Sequence, residues 1–599
     1  MTESSHNNDR WDRGEKKPEL VGKSTQLLQL DRRASKRLRR RLFKENGVQC
    51  PCTKEFIPWK VIEEAVTDAS VRAIIEEGNI ETEDVGKLSS KVSQSAKQLF
   101  SILVDLRKCS DIGMFLAEGI CDKDLPFKED EREGYKLQTS TGKPITSFLE
   151  WDAPSLKEFY KEQWTVLAPI FKVGQHFEFP EHQILPFIRL APSRKQEDRS
   201  GGYGEVSKAI IHPDHHDFWS PHSHPVRKAL HEDDDLDWRL TSYIQVQEAT
   251  VAVKALYSCD PRVFESERGI LEELGSKGQH PHLVSLLCTY KWGDRYHLVF
   301  PWAEGNLCEY WEREPMPEFT EQIVHWSLRQ MAGLAGGLSE IHNFKVPSDD
   351  PNTSHNARYG LHGDIKPKNS LFFKKRPNYE DPMGVLQIAD FGLARFHRFE
   401  SRSRVPSSVV TPSPTYSPPD PMIGDFISRT YDMWSLGCVY LEFATWLILG
   451  NEAIHEFSNC RGNTTQSGEI NDDYFYTKAE DTVVVRQGVI EWVHKLKRQE
   501  RCSQALLDLL ELIMSKLIVI EPCKRISSLR LHKELSVIVD RAGQDRTYLL
   551  SQTNGDIEPQ DLPSHQSITN NVPINAIPPE IPPLNHYSTW PLTLRLAFN

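Results

Sequence analysis

The sequence predicts an α+β protein in which a mostly helical N-terminal region precedes one large domain. Apolar residues recur at helical spacing from about residue 57, which predicts amphipathic helices. A short β-type apolar segment begins at about residue 184, and from there to about residue 539 the chain reads as one large domain. Of the 599 residues, 38% are hydrophobic and 26% charged, which excludes a chain that is disordered throughout.

Charge and apolar runs exclude several classes of function. The chain has 72 Lys and Arg against 85 Asp and Glu, so nucleic acid is not expected as a partner. No apolar run reaches the ~18 to 20 residues of a membrane-spanning helix, and the N-terminus lacks the apolar core of a secretory signal. The eleven cysteines are scattered, with Cys50 and Cys52 as the close pair. We therefore expect reduced thiols and an intracellular protein, cytoplasmic or nuclear.

The regions on either side of the large domain differ from it in composition. Residues 1–48 are polar and basic, and eight Lys and Arg lie between Arg32 and Lys44, which favours either an anion-binding patch or a solvated tail. We expect this segment to be disordered and residues 49–180 to form a helical domain without catalytic groups, open to protein partners. Residues 541–599 are expected to be a largely disordered tail, because much of this segment is rich in Pro, Asn and Ser.

Two weaker motifs lie in the first part of the large domain. The segment 199–206 (Arg-Ser-Gly-Gly-Tyr-Gly-Glu-Val) has glycines that let backbone N–H groups approach a phosphate. The segment 251–254 (Val-Ala-Val-Lys) reads as a strand that ends in a lysine able to neutralise phosphate oxygens. Alone, each is as compatible with an ordinary hairpin turn or a solvated lysine.

Two stronger motifs follow. In the segment 362–369 (His-Gly-Asp-Ile-Lys-Pro-Lys-Asn), Asp364 can accept a hydroxyl proton, Lys366 can meet a transferred phosphate and Asn369 can hold a hard cation. In the segment 388–392 (Ile-Ala-Asp-Phe-Gly), Asp390 follows an apolar strand and can chelate Mg²⁺. The order and spacing of all four motifs make chance a poor explanation.

These motifs resemble those of a eukaryotic protein kinase domain of the Ser/Thr type. The resemblance implies a two-lobed kinase fold over residues 181–540, with a small β-rich lobe (181–303) and a large helical lobe (304–540). It implies an ATP-dependent, Mg²⁺-requiring transfer of phosphate to a protein substrate. The chain as a whole, from the segment 56–58 through 122–127, also resembles kinase-domain proteins of filamentous fungi.

The resemblance implies a role for each site residue. Asp364 is the base, Lys366 contacts phosphate, and Lys254 contacts phosphate and pairs with Glu267, for which Glu272 and Glu273 are competitors. Asn369 and Asp390 hold Mg²⁺. The nucleotide site is implied at the following residues: Gly201, Gly202, Gly204, Val206, Ala252, Lys254, Phe300, Pro301 and Ala303.

Later positions also match the family, and some depart from it. Asp432 matches an aspartate that anchors the catalytic loop, and Arg525 matches a buried arginine that pairs with an acid, here Asp420. Gly363 stands where many kinases have an arginine that grips a phosphate of the activation loop. A second interpretation is therefore a catalytically weak kinase-fold scaffold that acts as an interaction module.

Between Val206 and Lys254 the chain is longer than is usual in the family. This segment is rich in histidine, with residues such as His212, His215 and His216. We interpret it as a surface loop, with a histidine-based metal site as the alternative.

Overall fold

The computed structural model describes the two predicted lobes and most of the helical domain. The described residues are 33–78, 84–129, 136–192, 204–218, 249–276, 278, 280–343, 359–374, 381–390, 395–397, 405–406, 414–423, 426–464, 470–479, 482–551 and 572–573. Helices dominate both ends of this fold and one mixed sheet lies between them, so the predicted α+β, two-lobed architecture with a helical N-terminal region is confirmed.

The N-terminal domain is a cluster of short helices around one apolar core. Its helices are α1 (Ala34–Arg39), α2 (Trp59–Ala65), α3 (Asp68–Glu77), α4 (Val85–Ser95), α5 (Lys97–Asp105), α6 (Ile112–Ala117) and α7 (Ala153–Val166), and its strands are β1 (Val48–Gln49), β2 (Glu55–Phe56), β3 (Lys128–Glu129) and β4 (Leu137–Gln138). Side-chain caps start several helices; Thr67 and Ser70, for example, form a reciprocal capping box at α3.

The basic segment is more ordered than the sequence predicts. Helix α1 continues as a π-helical turn, Arg40–Lys44, and its Leu38 and Leu42 are buried in the core of the helical domain. The two leucines lie one helical turn apart, so they form an apolar face amid the basic residues. The predicted disordered segment, residues 1–48, therefore extends too far along the chain. The many charged residues around Leu38 and Leu42 obscure the amphipathic pattern of this short helix.

The small lobe is built on a six-stranded sheet and one helix. The strands are β5 (His176–Phe179), β6 (Phe187–Pro192), β7 (Gly204–Ile211), β8 (Ala249–Leu256), β9 (Cys288–Trp292) and β10 (Arg295–Pro301), and the helix is α8 (Pro261–Ser276). The strand order is β5-β9-β10-β8-β7-β6, and all neighbours are antiparallel except β5 and β9. The sheet thus begins before residue 181, where the sequence predicts the start of the kinase domain, since β5 alone is too short to reveal its pairing.

The large lobe is mainly helical. Its helices are α9 (Leu307–Arg313), α10 (Glu321–His342), α11 (Asp420–Ile423), α12 (Thr430–Leu449), α13 (Glu452–Arg461), α14 (Gln487–Lys497), α15 (Gln504–Leu512), α16 (Ser528–Gln544) and α17 (Arg546–Leu550). Its strands are β11 (Gly305–Asn306), β12 (Tyr359–Leu361), β13 (Ser370–Phe373), β14 (Val385–Ile388), β15 (Arg395–His397), β16 (Val405–Pro406), β17 (Phe426–Ile427), β18 (Asn463–Thr464), β19 (Ile470–Asp472), β20 (Tyr476–Ala479), β21 (Thr482–Val485) and β22 (Val572–Pro573). Helix α12 is buried along most of its length, which makes it the central helix of the core.

The ordered part of the chain also extends further toward the C-terminus than the sequence predicts. Helices α16 and α17 continue to Leu550, and Tyr548 and Leu549 of α17 are buried in the core of the large lobe. The predicted tail from residue 541 therefore starts too early. Most of the Pro-rich segment lies outside the described residues.

One prediction about the cysteines is wrong. Cys50 and Cys52 form a disulfide, because a tight turn brings their Cα atoms to 5.3 Å, within the reach of such a bond. The other nine cysteines are free, as predicted. The histidine-rich segment that the sequence predicts as a surface loop lies mostly outside the described residues; in its described part, His215 is fully buried and His212 packs against Phe56 of the helical domain.

Membrane-spanning helices and metal-binding clusters are both absent from the described residues. No helix in this part of the chain is both long and apolar enough to cross a membrane. Nor do the described ranges place three or more His, Cys, Asp or Glu residues together in a group that could hold a metal ion.

Candidate active site

A buried lysine lies between two carboxylates at the junction of the lobes. Lys254 is in the centre of the sheet, on β8, and its Nζ is 2.8 Å from Oε1 of Glu267 and 2.9 Å from Oδ1 of Asp390. Burial disfavours the charged form of Lys254, but the charges of Asp390 and Glu267 outweigh burial and raise its pKa above the ordinary value. The lysine is therefore fixed in its cationic form beside the cleft.

The predicted contact between Lys254 and Glu267 is present. Glu267 is buried on the inner face of α8, whereas Glu272 turns outward and its Oε1 accepts a hydrogen bond of 2.7 Å from Arg268. Glu267 and Glu272 are five residues apart, whereas residues that share a helix face are three or four apart. The two glutamates therefore lie on different faces of α8, and Glu267 is the one that faces Lys254.

Asp390 leaves strand β14 in an unusual backbone conformation. Its φ is +67°, in the left-handed region that non-glycine residues seldom occupy. Backbone N–H of the preceding Ala389 donates to the carbonyl of Asn369 at 2.9 Å, so the two predicted metal ligands lie on adjoining segments. Both offer oxygen atoms, which suit Mg²⁺. Strained conformations of this kind persist where the surroundings hold them, and they concentrate at functional sites.

The loop that joins β12 to β13 brings three predicted site residues together. Oδ2 of Asp364 lies 2.7 Å from Nζ of Lys366 and accepts a hydrogen bond of 3.0 Å from Nδ2 of Asn369. The same Asn369 amide donates to the carbonyl oxygen of Asp364 at 2.8 Å. The amide nitrogen is thus committed to Asp364, which leaves its oxygen as the atom available for a cation.

Asp432 anchors the backbone of this loop, as predicted. Its carboxylate accepts backbone hydrogen bonds of 2.8 Å from both His362 and Gly363, and it lies 2.8 Å from Nε2 of His342. Burial favours the neutral acid, but the hydrogen bond and charge of His342 and the loop N–H groups prevail, so the pKa of Asp432 is lowered. The carboxylate therefore stays ionised and fixes the loop that carries Asp364 on helix α12.

The backbone conformation of Gly363 favours glycine at this position. Its φ is +83°, so an L-residue at this position is strained. We expect Gly363→Ala to lower the free energy of unfolding by about 1 to 2 kcal/mol. Gly113 is the matched control: it lies in helix α6, where an added Cβ would meet nothing within 4 Å. Gly113→Ala should instead stabilise by about 0.5 kcal/mol. Urea denaturation measures both, and an unchanged midpoint for Gly363→Ala would contradict the strain argument.

The predicted pair of Arg525 and Asp420 is present and fully buried. Nη2 of Arg525 lies 2.6 Å from Oδ1 of Asp420, and Nη1 lies 3.0 Å from Oδ2. The guanidinium also donates to three backbone carbonyls, those of Val519, Ile520 and Thr430. Asp420 and Arg525 thus form a bidentate ion pair, the stronger geometry for such a pair.

The predicted nucleotide residues line adjacent strands of the small lobe. Val206 on β7 lies opposite Lys254 on β8, and Ala252 lies opposite Phe300 on β10, which leads directly into Pro301. Gly204 needs to be glycine because a Cβ there would come within 2.6 Å of the Ala255 carbonyl. Gly201 and Gly202 lie outside the described residues. Ala303, half-buried, follows on the segment that joins the lobes.

Sequence reasoning missed a buried ionic network in the large lobe. Tyr416 donates its hydroxyl to Oε2 of Glu442 at 3.0 Å, and Nη2 of Arg461 donates to Oε1 of the same carboxylate at 2.9 Å. Thr415 donates to Oδ1 of Asp473 at 2.6 Å. The available signal was Glu442 itself, a charge inside the apolar run that became helix α12; its partners lie too far along the chain to be found by spacing.

Comparisons with known proteins agree with this geometry. Residues 243–534 match the family model described as protein kinase domain. Cyclin-dependent kinase 14 of Oryctolagus cuniculus is 32% identical over 165 residues, which cover 27% of this chain and 29% of that protein. The Homo sapiens protein of the same name is 31% identical over the same shares, and that of Xenopus tropicalis is 30% identical over 168 residues, 27% of this chain and 32% of the relative.

The similarity is therefore confined to one part of each chain, since less than a third of each of these relatives is covered. The family match also begins after strands β5 to β7, although the structure includes all three in the same sheet as β8. Taken with the site geometry, the match over 243–534 shows that this chain contains a protein kinase domain.

Proposed function

We propose that the chain is an ATP-dependent serine/threonine kinase that transfers the γ-phosphate to a hydroxyl of a protein substrate. The observation that carries this proposal is the position of Lys254, whose Nζ contacts both Glu267 and Asp390. A lysine oriented in this way can neutralise nucleotide phosphates, and the neighbouring carboxylate can hold the metal that accompanies them. Gly201 and Gly202 are proposed to cover the phosphates.

The catalytic loop supports the chemical step. Asp364 is proposed to accept the proton of the attacking hydroxyl, and Lys366, 2.7 Å from its carboxylate, to neutralise the transferred phosphate. Asn369 and Asp390 are proposed to hold Mg²⁺, which when bound neutralises charge on the phosphate oxygens. Asp432 keeps the loop backbone in place during turnover.

Two features favour serine and threonine over tyrosine as acceptors. Lys366 follows Asp364 by two residues, as in Ser/Thr kinases, and lies beside its carboxylate. Ser413 stands where such kinases have a threonine that touches the base, although it lies outside the described residues. The adenine is proposed to meet Pro301 and Ala303, with Phe300 beside it.

The deciding experiment measures phosphate transfer from labelled ATP to generic Ser/Thr protein substrates, with Asp364→Asn as the control. We expect transfer by the wild-type chain and a loss of two orders of magnitude or more in the variant, because general-base catalysis contributes about 10² to 10⁴-fold. Equal signal from both proteins would contradict the proposal and would favour the non-catalytic scaffold.

Phosphorylation of the activation loop should have little influence on turnover. Many hydroxyls lie between Asp390 and Asp420, namely Ser401, Ser403, Ser407, Ser408, Thr411, Ser413 and Thr415; of these, Thr415 is described and donates to Asp473. A phosphate orders a loop by pairing with a cation, and Gly363 offers no cationic side chain beside the base. Phosphatase-treated protein should therefore keep most of its turnover. A sharp loss, restored by rephosphorylation at a mapped loop residue, would show that another cation replaces the missing arginine.

A further inference from the structure

Residues 167–179 form the joining segment between the helical domain and the small lobe. Its strand, β5, is part of the six-stranded sheet of the small lobe. Strand β5 lies parallel to β9, with His176 opposite Thr289 and Phe179 opposite Trp292. Backbone N–H of Thr289 donates to the carbonyl of Gln175 at 3.1 Å, and that of Gly174 donates to Leu287 at 2.7 Å. The kinase sheet is therefore extended on one side by a strand that the family match does not include.

His176 connects this strand to helix α8. Its Nδ1 lies 2.8 Å from Oγ1 of Thr289, and its ring centroid lies 5.1 Å from that of Phe264. Phe264 is fully buried and stacks on Tyr296 at 4.3 Å. Because Phe264 lies three residues before Glu267, the two side chains share one face of the helix. The histidine thus touches the face that carries the partner of Lys254.

The electrostatics at His176 suit a packing contact. Partial burial, with the nearby charge of Arg268, lowers the pKa of His176 below its ordinary value. The ring is therefore neutral at neutral pH and can lie against an apolar aromatic side chain without a cost for desolvating a charge.

The joining segment is fastened at its other end to the helical domain. Ala168 of this segment is buried in one apolar cluster with Phe56 and Trp164 of the helical domain. His215, in the small lobe, bonds to both sides: its Nδ1 donates to the Pro169 carbonyl at 2.9 Å, and its Nε2 accepts from Trp59 N–H at 3.1 Å. Burial lowers the pKa of His215 to about 4, so this neutral bridge persists across the physiological range.

From these contacts we infer that the helical domain and β5 act as a built-in clamp, in which His176 is a positioning residue that keeps helix α8 where Glu267 reaches Lys254. The helical domain anchors the segment, β5 extends the sheet, and the ring of His176 supports Phe264 from the side. The inference rests on the proposed function, because the Lys254–Glu267 pair matters for turnover only if Lys254 contacts ATP.

The test uses the full chain with His176→Asn and His176→Ala. Asparagine can keep a hydrogen bond to Thr289 and so preserve the strand, but it lacks the ring that touches Phe264. We expect both variants to lose about fivefold in kcat/KM for ATP. Lys172→Gln, an exposed change in the same segment, should leave kcat/KM unchanged. If His176→Asn is as active as wild type, the ring contact positions nothing and the inference is wrong.

A double-mutant cycle separates positioning from loss of stability. In a Glu267→Gln background the effect of His176→Asn should shrink to less than about twofold, because the group through which it acts has been altered. ATP affinity is measured alongside turnover, so that the effect of His176→Asn can still be compared between the two backgrounds if Glu267→Gln is nearly inactive. Equal losses in both backgrounds would overturn the inference. Wild-type transfer no greater than that of Asp364→Asn would overturn the proposed function instead.

Discussion

Asp390→Ala protein is expected to lose its stabilisation by Mg·ATP, whereas Asp364→Asn protein should keep it. Asp390 lies 2.9 Å from Lys254 and is a proposed metal ligand, so its removal takes away the proposed metal contact and one partner of Lys254, the proposed phosphate contact. Asp364 is proposed to act only in proton transfer. A ligand present at 100 times its Kd stabilises a protein by about 2.7 kcal/mol. Thermal-shift titration with Mg·ATP measures this difference directly.

The two variants control for each other, since each removes one carboxylate from the same cleft. Their melting temperatures without nucleotide give the separate cost of each substitution to stability. Stabilisation of Asp390→Ala by Mg·ATP to the same extent as wild type would refute its assignment as a metal ligand. Loss of binding in Asp364→Asn would show that this residue also contacts the nucleotide complex.

Arg525→Met is expected to lower the free energy of unfolding by more than Gly363→Ala does. It would leave the carboxylate of Asp420 buried without its partner and remove the donors to Val519, Ile520 and Thr430. Removal of one member of a buried ion pair costs about 3 to 5 kcal/mol. Chemical denaturation followed by tryptophan fluorescence is a suitable measurement, because the Arg525 guanidinium lies 5.2 Å from the ring of Trp434.

Lys524→Met is the matched control for this substitution. Lys524 is the preceding residue and makes an ion pair of 2.8 Å with Glu521, but about half of its side chain is exposed. Exposed pairs of this kind contribute about 1 kcal/mol or less. If Arg525→Met costs no more than Lys524→Met, the buried pair does not hold the large lobe together as its geometry indicates.

The local chemistry of the site was predictable because each motif is contiguous. Asp364, Lys366 and Asn369 lie within one loop, so their spacing alone predicts that they meet, and the structure brings them together. The choice of Glu267 over its neighbours followed from helical periodicity. The roles of these residues in ATP and Mg²⁺ binding, and the resemblance to fungal proteins, stay predictions.

Two other features could not be predicted from the sequence in the same way. The disulfide of Cys50 and Cys52 depends on a local turn, whereas the sequence argument rested on the cellular compartment. The network of Tyr416, Glu442 and Arg461 joins three separate elements, and no spacing rule connects them.

The sequence by itself determined the helical character of the N-terminal region and the contiguous motifs around Lys254 and Asp364, because hydrophobic periodicity and contiguous motifs are properties of short segments. The two-lobed α+β fold was implied by the kinase resemblance that these motifs carry. Only the tertiary structure decided where the domains end and how they meet. Strand β5 has four residues, too few to predict its partner, and the sheet that it joins includes strands more than a hundred residues away. Pairings at such distances depend on the packing of the whole lobe, which is why His176 and its contact with Phe264 emerged only from the folded protein.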